Sequence, residues 1–399
     1  LTASIRKPWK LLFLPLTFPY HCFLLGLEKI GRRAPPSPHA SSQSTDEDRN
    51  NCVVLFPTNG VGFGHFTRMY AVAKAIRKHE PDTEVIFFTP MPTLHVPYSE
   101  DFPTYHIAGR YKFKEMSSSQ WNGLIEEQLL MILDIHKPKL FMFDGAYPYR
   151  GMLNAIRRNP SMRKAWMRRG MFKKGSKIPL DSIQYFDTVI HPGDAVTAQE
   201  QELDHSVEVV QVPPILLVKE DEMLSKEEAR NRLGVPHAAE VWYVQLGAGQ
   251  INDIESEIRI TIEALLENNS NSMIVIGESL LGQRITYSNE RVRILRDYPN
   301  GIYFKGFDYS IQAGGYNSFH EMRSSRIPTI FYPNMNTGMD DQLARCKVAE
   351  KEGWGIVVEK RDAKSIHQAI QKITSLEVSE TNPSTKWLGM SWVADYLSK

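Results

Sequence analysis

Cysteine is scarce in this sequence. Cys22, Cys52 and Cys346 are spread over 399 residues with no Cys-x-x-Cys pair, which speaks against a disulfide framework or a paired-thiol zinc site and fits a reducing compartment. Net charge is missing too. The 47 Lys plus Arg nearly cancel the 46 Asp plus Glu, leaving +1, so no global field draws the chain onto nucleic acid. No long apolar run stands in for a membrane span. The charge-free stretch Leu11 to Leu27 falls short of the roughly 20 residues that a spanning helix needs, and Pro15 and Pro19 break it. Basic residues flank it (Arg6, Lys7 and Lys10 before, Lys29, Arg32 and Arg33 after), and no small-residue cleavage site follows directly. Residues 1–33 therefore read as an interfacial or packed helix, with a membrane anchor as the alternative. The chain opens on Leu1 and not Met, which fits a piece of something longer.

What is present is ordinary globular material, 42% hydrophobic and 23% charged, long enough for about two to three domains at roughly 150 residues each. Residues 34–50, APPSPHASSQSTDEDRN, read as a disordered linker. From residue 51 the pattern alternates. Strands are expected at 52–57, 84–89, 140–143, 188–191 and 207–212, and helices at 67–79 and 121–136. After Pro213-Pro214 a second series starts, with strands at 241–246, 273–276, 292–295, 302–304, 329–332 and 355–358. Its helices are expected at 227–233, 254–268, 318–325 and 342–352. This pattern predicts an α/β protein with two doubly wound, Rossmann-like domains, 51–215 and 216–380, facing a cleft at the C-terminal ends of their strands. Residues 381–399 carry apolar positions at helical spacing and are expected to pack back on the first domain.

The first strand runs into Thr58 to Arg68, TNGVGFGHFTR. Gly60, Gly62 and Gly64 allow backbone amides to approach a ligand at a helix N-terminus. The spacing is one residue short of G-x-G-x-x-G, and the second strand ends in Thr89-Pro90 with no acid to hold a ribose. No GK[ST] follows, so a Walker loop is excluded as well. His65 stands where this loop meets the helix. A neutral imidazole there can take a proton from a hydroxyl, or simply cap the helix. No Asp-x-Asp pair sits where it would hold a divalent ion, and the adjacent Asp340 and Asp341 point apart. Neither cofactor nor metal is expected.

Taken with the GxGxGHxxR loop, the second half contains Ala313 to Glu321 (AGGYNSFHE), Asn334 to Arg345 (NMNTGMDDQLAR) and Gly353-Trp354-Gly355. In this order the motifs resemble GT-B fold glycosyltransferases, most closely the MurG-like (family 28-type) branch, over roughly residues 51 to 375. The resemblance implies a metal-independent, inverting transfer from a nucleotide-diphosphate sugar, UDP-linked by preference, to an acceptor hydroxyl, with His65 as the base. It places Gly314 and Gly315 against the donor diphosphate, Glu321 on the ribose hydroxyls, and Asp341 and Gln342 on sugar hydroxyls. Asn317 and Ser318 would contact phosphate or cap the helix, and Gly247 and Gly249 would meet the leaving phosphates. Arg68 and Asp144 belong to the acceptor side; the loop at Asp144-Gly145-Ala146-Tyr147 is poorer in glycine than the family's acceptor loop. The acceptor implied is a lipid-linked sugar, a capsule or envelope glycan, or a small metabolite, in the cytoplasm or on the cytoplasmic face of a membrane.

Two further features bear on partners. Nine Arg or Lys residues between 157 and 177 are interleaved with Trp166, Met167, Met171 and Phe172. This run fits peripheral contact with anionic lipid, together with residues 6–33, or a polyphosphate acceptor; equally, it fits a solvated face. RNA would suit such a run as well, although no nucleic-acid partner is expected. The competing functions are a non-hydrolysing UDP-sugar epimerase, which shares the fold, and a non-catalytic protein that only binds a nucleotide sugar.

Overall fold

The computed structural model describes residues 49–58, 62–169, 180–196, 207–247, 254–282, 284–337, 340–376 and 389–397. The expectations for residues 1–48, Gly60, Gly249 and 170–177 lie outside these residues.

The first strand, β1 (Asn50–Pro57), has the sequence NNCVVLFP and is buried from Cys52 onward. A near-continuous apolar run is what a parallel strand covered on both faces requires. Its side chains alternate between two cores: Val53 and Leu55 enter one, Val54 and Phe56 the other. Six more strands complete this sheet: β2 (Glu84–Thr89), β3 (Thr104–His106), β4 (Pro138–Asp144), β5 (Arg163–Met167), β6 (Thr188–Pro192) and β7 (Glu208–Val212). All pair in parallel, in the order β3-β2-β1-β4-β5-β6-β7. The second sheet contains β8 (Glu240–Gln245), β9 (Ser272–Gly277), β10 (Val292–Leu295), β11 (Tyr309–Ala313), β12 (Thr329–Tyr332) and β13 (Gly355–Val357). It is again all parallel, in the order β10-β9-β8-β11-β12-β13. Each sheet reverses its winding beside its first strand, between β1 and β4 and between β8 and β11. Such a switch point opens a crevice at the C-terminal strand ends. The doubly wound α/β architecture expected from the sequence is therefore the one observed.

Helices cover both faces. In the first half they are α1 (Gly64–His79), α2 (His95–Tyr98), α3 (Ser118–His136) and α4 (Arg150–Arg157); in the second, α5 (Lys226–Leu233), α6 (Ile254–Asn268), α7 (Tyr316–Ser325), α8 (Gln342–Lys351) and α9 (Ala363–Thr374). A last helix, α10 (Gly389–Leu397), returns to the first sheet, where Met390, Val393, Ala394 and Leu397 share a core with Met69 and Ala73 of α1.

The sequence and the structure part in identifiable places. Residues 302–304, expected as a strand, belong to a 3-10 helix at Asn300–Gly306, and Tyr303 and Phe304 enter the core from it. Short apolar runs do not reveal their geometry by periodicity. The strand actually following is β11, which was not anticipated. β5 was missed because it opens on Arg163 and Lys164. Lys164 is nonetheless buried: its Nζ donates to the carbonyl of Met162 at 2.6 Å, and burial lowers its pKa below the usual lysine range.

This strand also corrects the reading of the basic run. Trp166 and Met167 are core residues, and the Trp166 indole donates to the Gly145 carbonyl at 2.8 Å. The aromatic interleaving that suggested a lipid surface is thus interior sheet for the described part of the run. Among the described residues no helix is long and apolar enough to cross a membrane.

Candidate active site

The end of β4 and the start of α1 meet at the first switch point. Asp144, the last residue of β4, is 1% exposed. Its Oδ1 accepts from His65 Nδ1 at 2.6 Å and from Arg68 Nη2 at 2.7 Å, while Oδ2 accepts from Arg68 Nε at 3.0 Å. Helical spacing explains the grip, since residues three apart share one face of α1. Arg68 Nη2 also lies 2.9 Å from His65 Nδ1; the two are donors converging on one carboxylate oxygen. An ionised carboxylate only accepts, so the proton is assigned to Nδ1 and the lone pair to Nε2. Burial lowers the His65 pKa, and Arg68 and Arg169 add to that; Asp144 opposes them but does not prevail. The imidazole is therefore neutral near pH 7. Burial alone would raise the Asp144 pKa, yet Arg68 and His65 outweigh it and hold the carboxyl below its ordinary range.

His65 and Arg68 line a cavity of about 700 Å³ between the two sheets, within the roughly 300–1,000 Å³ common for small-molecule sites. The opposite wall comes from the second domain. Gly315 caps α7 in extended geometry, and a Cβ there would meet open space. Gly315, Asn317, Ser318 and Glu321 all line the cavity. The first turn of α7 thus directs backbone amides and the positive end of its dipole at whatever occupies the space. Oδ1 of Asn317 is buried with no hydrogen-bond partner among the described residues; with the amide turned, the same position offers a donor. Burial pushes the Glu321 carboxyl up to about 7. Gly247, at φ 98°, closes the wall in the left-handed region that favours glycine.

The other anticipated residues divide between the cavity wall and the packing behind it. Gly314 is packed against α8: a Cβ there would sit 2.5 Å from Cys346 Sγ, and it does not line the cavity. Asp341 is the N-cap of α8, accepting from the Ala344 amide at 3.0 Å. Its neighbour Asp340 faces the cavity instead. Gln342 lines the cavity too, with Oε1 accepting from the Asn334 amide at 2.9 Å. Asn317 and Ser318 do not cap α7, whose N-cap makes no side-chain hydrogen bond. Gly62 and Gly64 both line the cavity mouth beside His65.

Sequence reasoning missed the bridge beneath the cavity. Arg345 of α8, fully buried, reaches Asp194 beyond β6 with two bonds of 2.8 Å, and Asp340 at 2.7 Å. His320 Nε2 stands 3.2 Å from the same Asp194. Tyr316 donates from its hydroxyl to the Gly193 carbonyl at 2.9 Å, and Tyr298 meets Thr67 at 3.1 Å. Arg169, one of the basic run, pairs with Asp340 across the cleft at 3.3 Å. None of these residues forms a local motif, so only the fold could bring them together. Among the described residues, the one grouping of metal-type ligands, Cys52, Glu84 and His136, lies at the opposite strand ends, away from this cleft.

No family model and no curated protein sequence matches the chain. Solved structures do. The spinosyn rhamnosyltransferase SpnG superposes with a TM-score of 0.59 at 12% identity, over 87% of this chain and 100% of that one. UDP-GlcNAc 2-epimerase from Methanocaldococcus jannaschii gives a TM-score of 0.57 at 12% identity, over 87% and 99%. MurG of Acinetobacter baumannii gives 0.55 at 13% identity, over 87% and 99%. SpnG has been solved with thymidine diphosphate, and the epimerase with UDP-GlcNAc and UDP. The chain has the GT-B fold that these proteins share, as the sequence motifs led one to expect.

Proposed function

We propose that this chain is a glycosyltransferase moving a sugar from a nucleoside-diphosphate donor, UDP-linked by preference, to a hydroxyl on a glycan or lipid-linked acceptor. The observation that carries the reading is the His65–Asp144 pair, which opens onto the same cavity as the first turn of α7 and Glu321. An imidazole with a carboxylate on Nδ1 and its Nε2 lone pair turned toward bound substrate is poised as a general base. The acceptor oxygen would attack the anomeric carbon while its proton passes to Nε2. The bond from that carbon to the diphosphate oxygen breaks, and the electron pair leaves with the diphosphate. The charge that develops would meet the amides of Asn317 and Ser318 at the α7 N-terminus. Glu321, with two acceptor oxygens, suits the paired hydroxyls of a ribose.

The cavity's other carboxylates favour transfer over epimerisation. Glu257 pairs with Arg361, Glu278 with Arg284 and Arg296, and Asp340 with Arg345. Carboxylates so held are poor proton shuttles, which an epimerase needs on both faces of a sugar. The test is sugar transfer from a panel of UDP- and TDP-sugars into glycan and lipid-linked acceptors, comparing the protein with His65→Ala. The expected outcome is a loss of about 10²–10⁴-fold in kcat with nucleotide affinity retained. Turnover unchanged in His65→Ala would contradict the role of the base. Nucleotide binding with no transfer to any acceptor would favour a protein that only binds.

A further inference from the structure

The reading just proposed leaves one charge unbalanced. A diphosphate leaving group carries more negative charge than a helix N-terminus, worth roughly half an elementary charge, can offset. The cations in the cavity wall are mostly committed. Arg68 makes two bonds to the buried Asp144, and releasing it would strand that carboxylate. Arg361 holds Glu257 and donates to the Pro333 carbonyl at 2.7 Å. Arg169 is placed differently. It lines the cavity from the first domain, its side chain is 24% exposed, and its guanidinium stands 5.5 Å from the ring centroid of Tyr316, the first residue of α7. Its contact with Asp340 is a single pair at 3.3 Å. Asp340 has a second cation in Arg345, at 2.7 and 3.3 Å and shared with Asp194, so it keeps a bonded guanidinium if Arg169 turns away.

We propose that Arg169 is the counter-charge for the donor diphosphate, supplied across the cleft by the first domain and exchanged from Asp340 to the phosphates when the donor binds. This rests on the glycosyltransferase reading and extends it. The arginine of one domain and the helix N-terminus of the other would grip the same diphosphate, so donor binding would draw the two domains together. A planar guanidinium suits this, because its fork can meet two phosphate oxygens at once. The same residue gives a use to the basic run that neither a lipid surface nor the sheet accounts for.

The experiment is calorimetric titration of the full chain and of Arg169→Gln and Arg169→Lys with UDP, UMP and uridine, repeated with TDP and TMP. A lost charge-assisted contact predicts a drop of about 10- to 100-fold in UDP affinity for Arg169→Gln, with UMP and uridine affinities little changed. Arg169→Lys should fall between, since it keeps the charge and loses the fork. Diphosphate affinity equal to that of the unaltered protein would overturn the assignment. So would a parallel loss for diphosphate, monophosphate and nucleoside, which marks a structural role. Failure of the unaltered chain to bind any of these nucleotides would instead sink the donor reading, and this inference with it.

Discussion

At the scale of single residues, the proposed chemistry rests on His65 and Glu321, which were legible to different depths. A histidine at the junction of a glycine loop and a helix is visible in the sequence, but its orienting partner is not. Asp144 lies 79 positions away, and only the β1–β4 pairing of the first sheet brings it to Nδ1. Glu321 was visible as part of AGGYNSFHE; its altered acidity was not, because desolvation depends on what the fold packs around the carboxyl. That acidity has a consequence. With the carboxyl at about 7, Glu321 is half protonated near neutrality, whereas ribose hydroxyls donate to the ionised form. Nucleotide binding should therefore favour loss of the proton. Affinity is expected to rise with pH by up to about tenfold per unit below pH 7 and to level off above it. In Glu321→Gln, which cannot titrate, the affinity should be lower and flat over the same range. A titration series from pH 5.5 to 8.5 reads both; an identical slope in the two proteins would assign the pH dependence to another group.

At the scale of elements, long periodic segments were read well and short or disguised ones poorly. α6 and β2 match their expected limits, since amphipathic spacing and a run of EVIFFT leave little ambiguity. β5 hid behind two cations, and β11 behind polar residues in YSIQA. The adjacent glycines that open α7 show why a motif does not fix a role. Gly314 lets α7 and α8 approach, with Cys346 Sγ 2.5 Å from where its Cβ would be. Gly315 faces open space at φ −64°. Gly314→Ala is accordingly expected to destabilise the fold by about 1–3 kcal/mol through overpacking. Gly315→Ala should stay within about 0.5 kcal/mol of the unaltered protein, and should weaken nucleotide binding if the phosphates need close backbone approach. Urea unfolding together with nucleotide titration separates the two effects; equal destabilisation would show that the packing at Gly314 relaxes.

At the scale of the whole molecule, two sheets of the same winding place their switch points face to face, and buried polar contacts tie the domains beneath the cavity. Arg345 bonded to Asp194, with His320 beside it, is a network whose members come from β6's exit, α7 and α8. No single stretch of sequence encodes it, which is why the two domains could be read and their junction could not. Such a bridge fixes the geometry in which His65 of one domain faces the α7 wall of the other. If this junction holds a nucleoside diphosphate, as proposed, thermal unfolding of the full chain with and without UDP, TDP and GDP, set beside Glu321→Ala, reads it out. Ligand at about 100 times its dissociation constant adds roughly 2.7 kcal/mol to stability. A clear upward shift in melting temperature with UDP or TDP that disappears in Glu321→Ala is expected; no shift with any of the three nucleotides in the unaltered protein would rule out a donor site here.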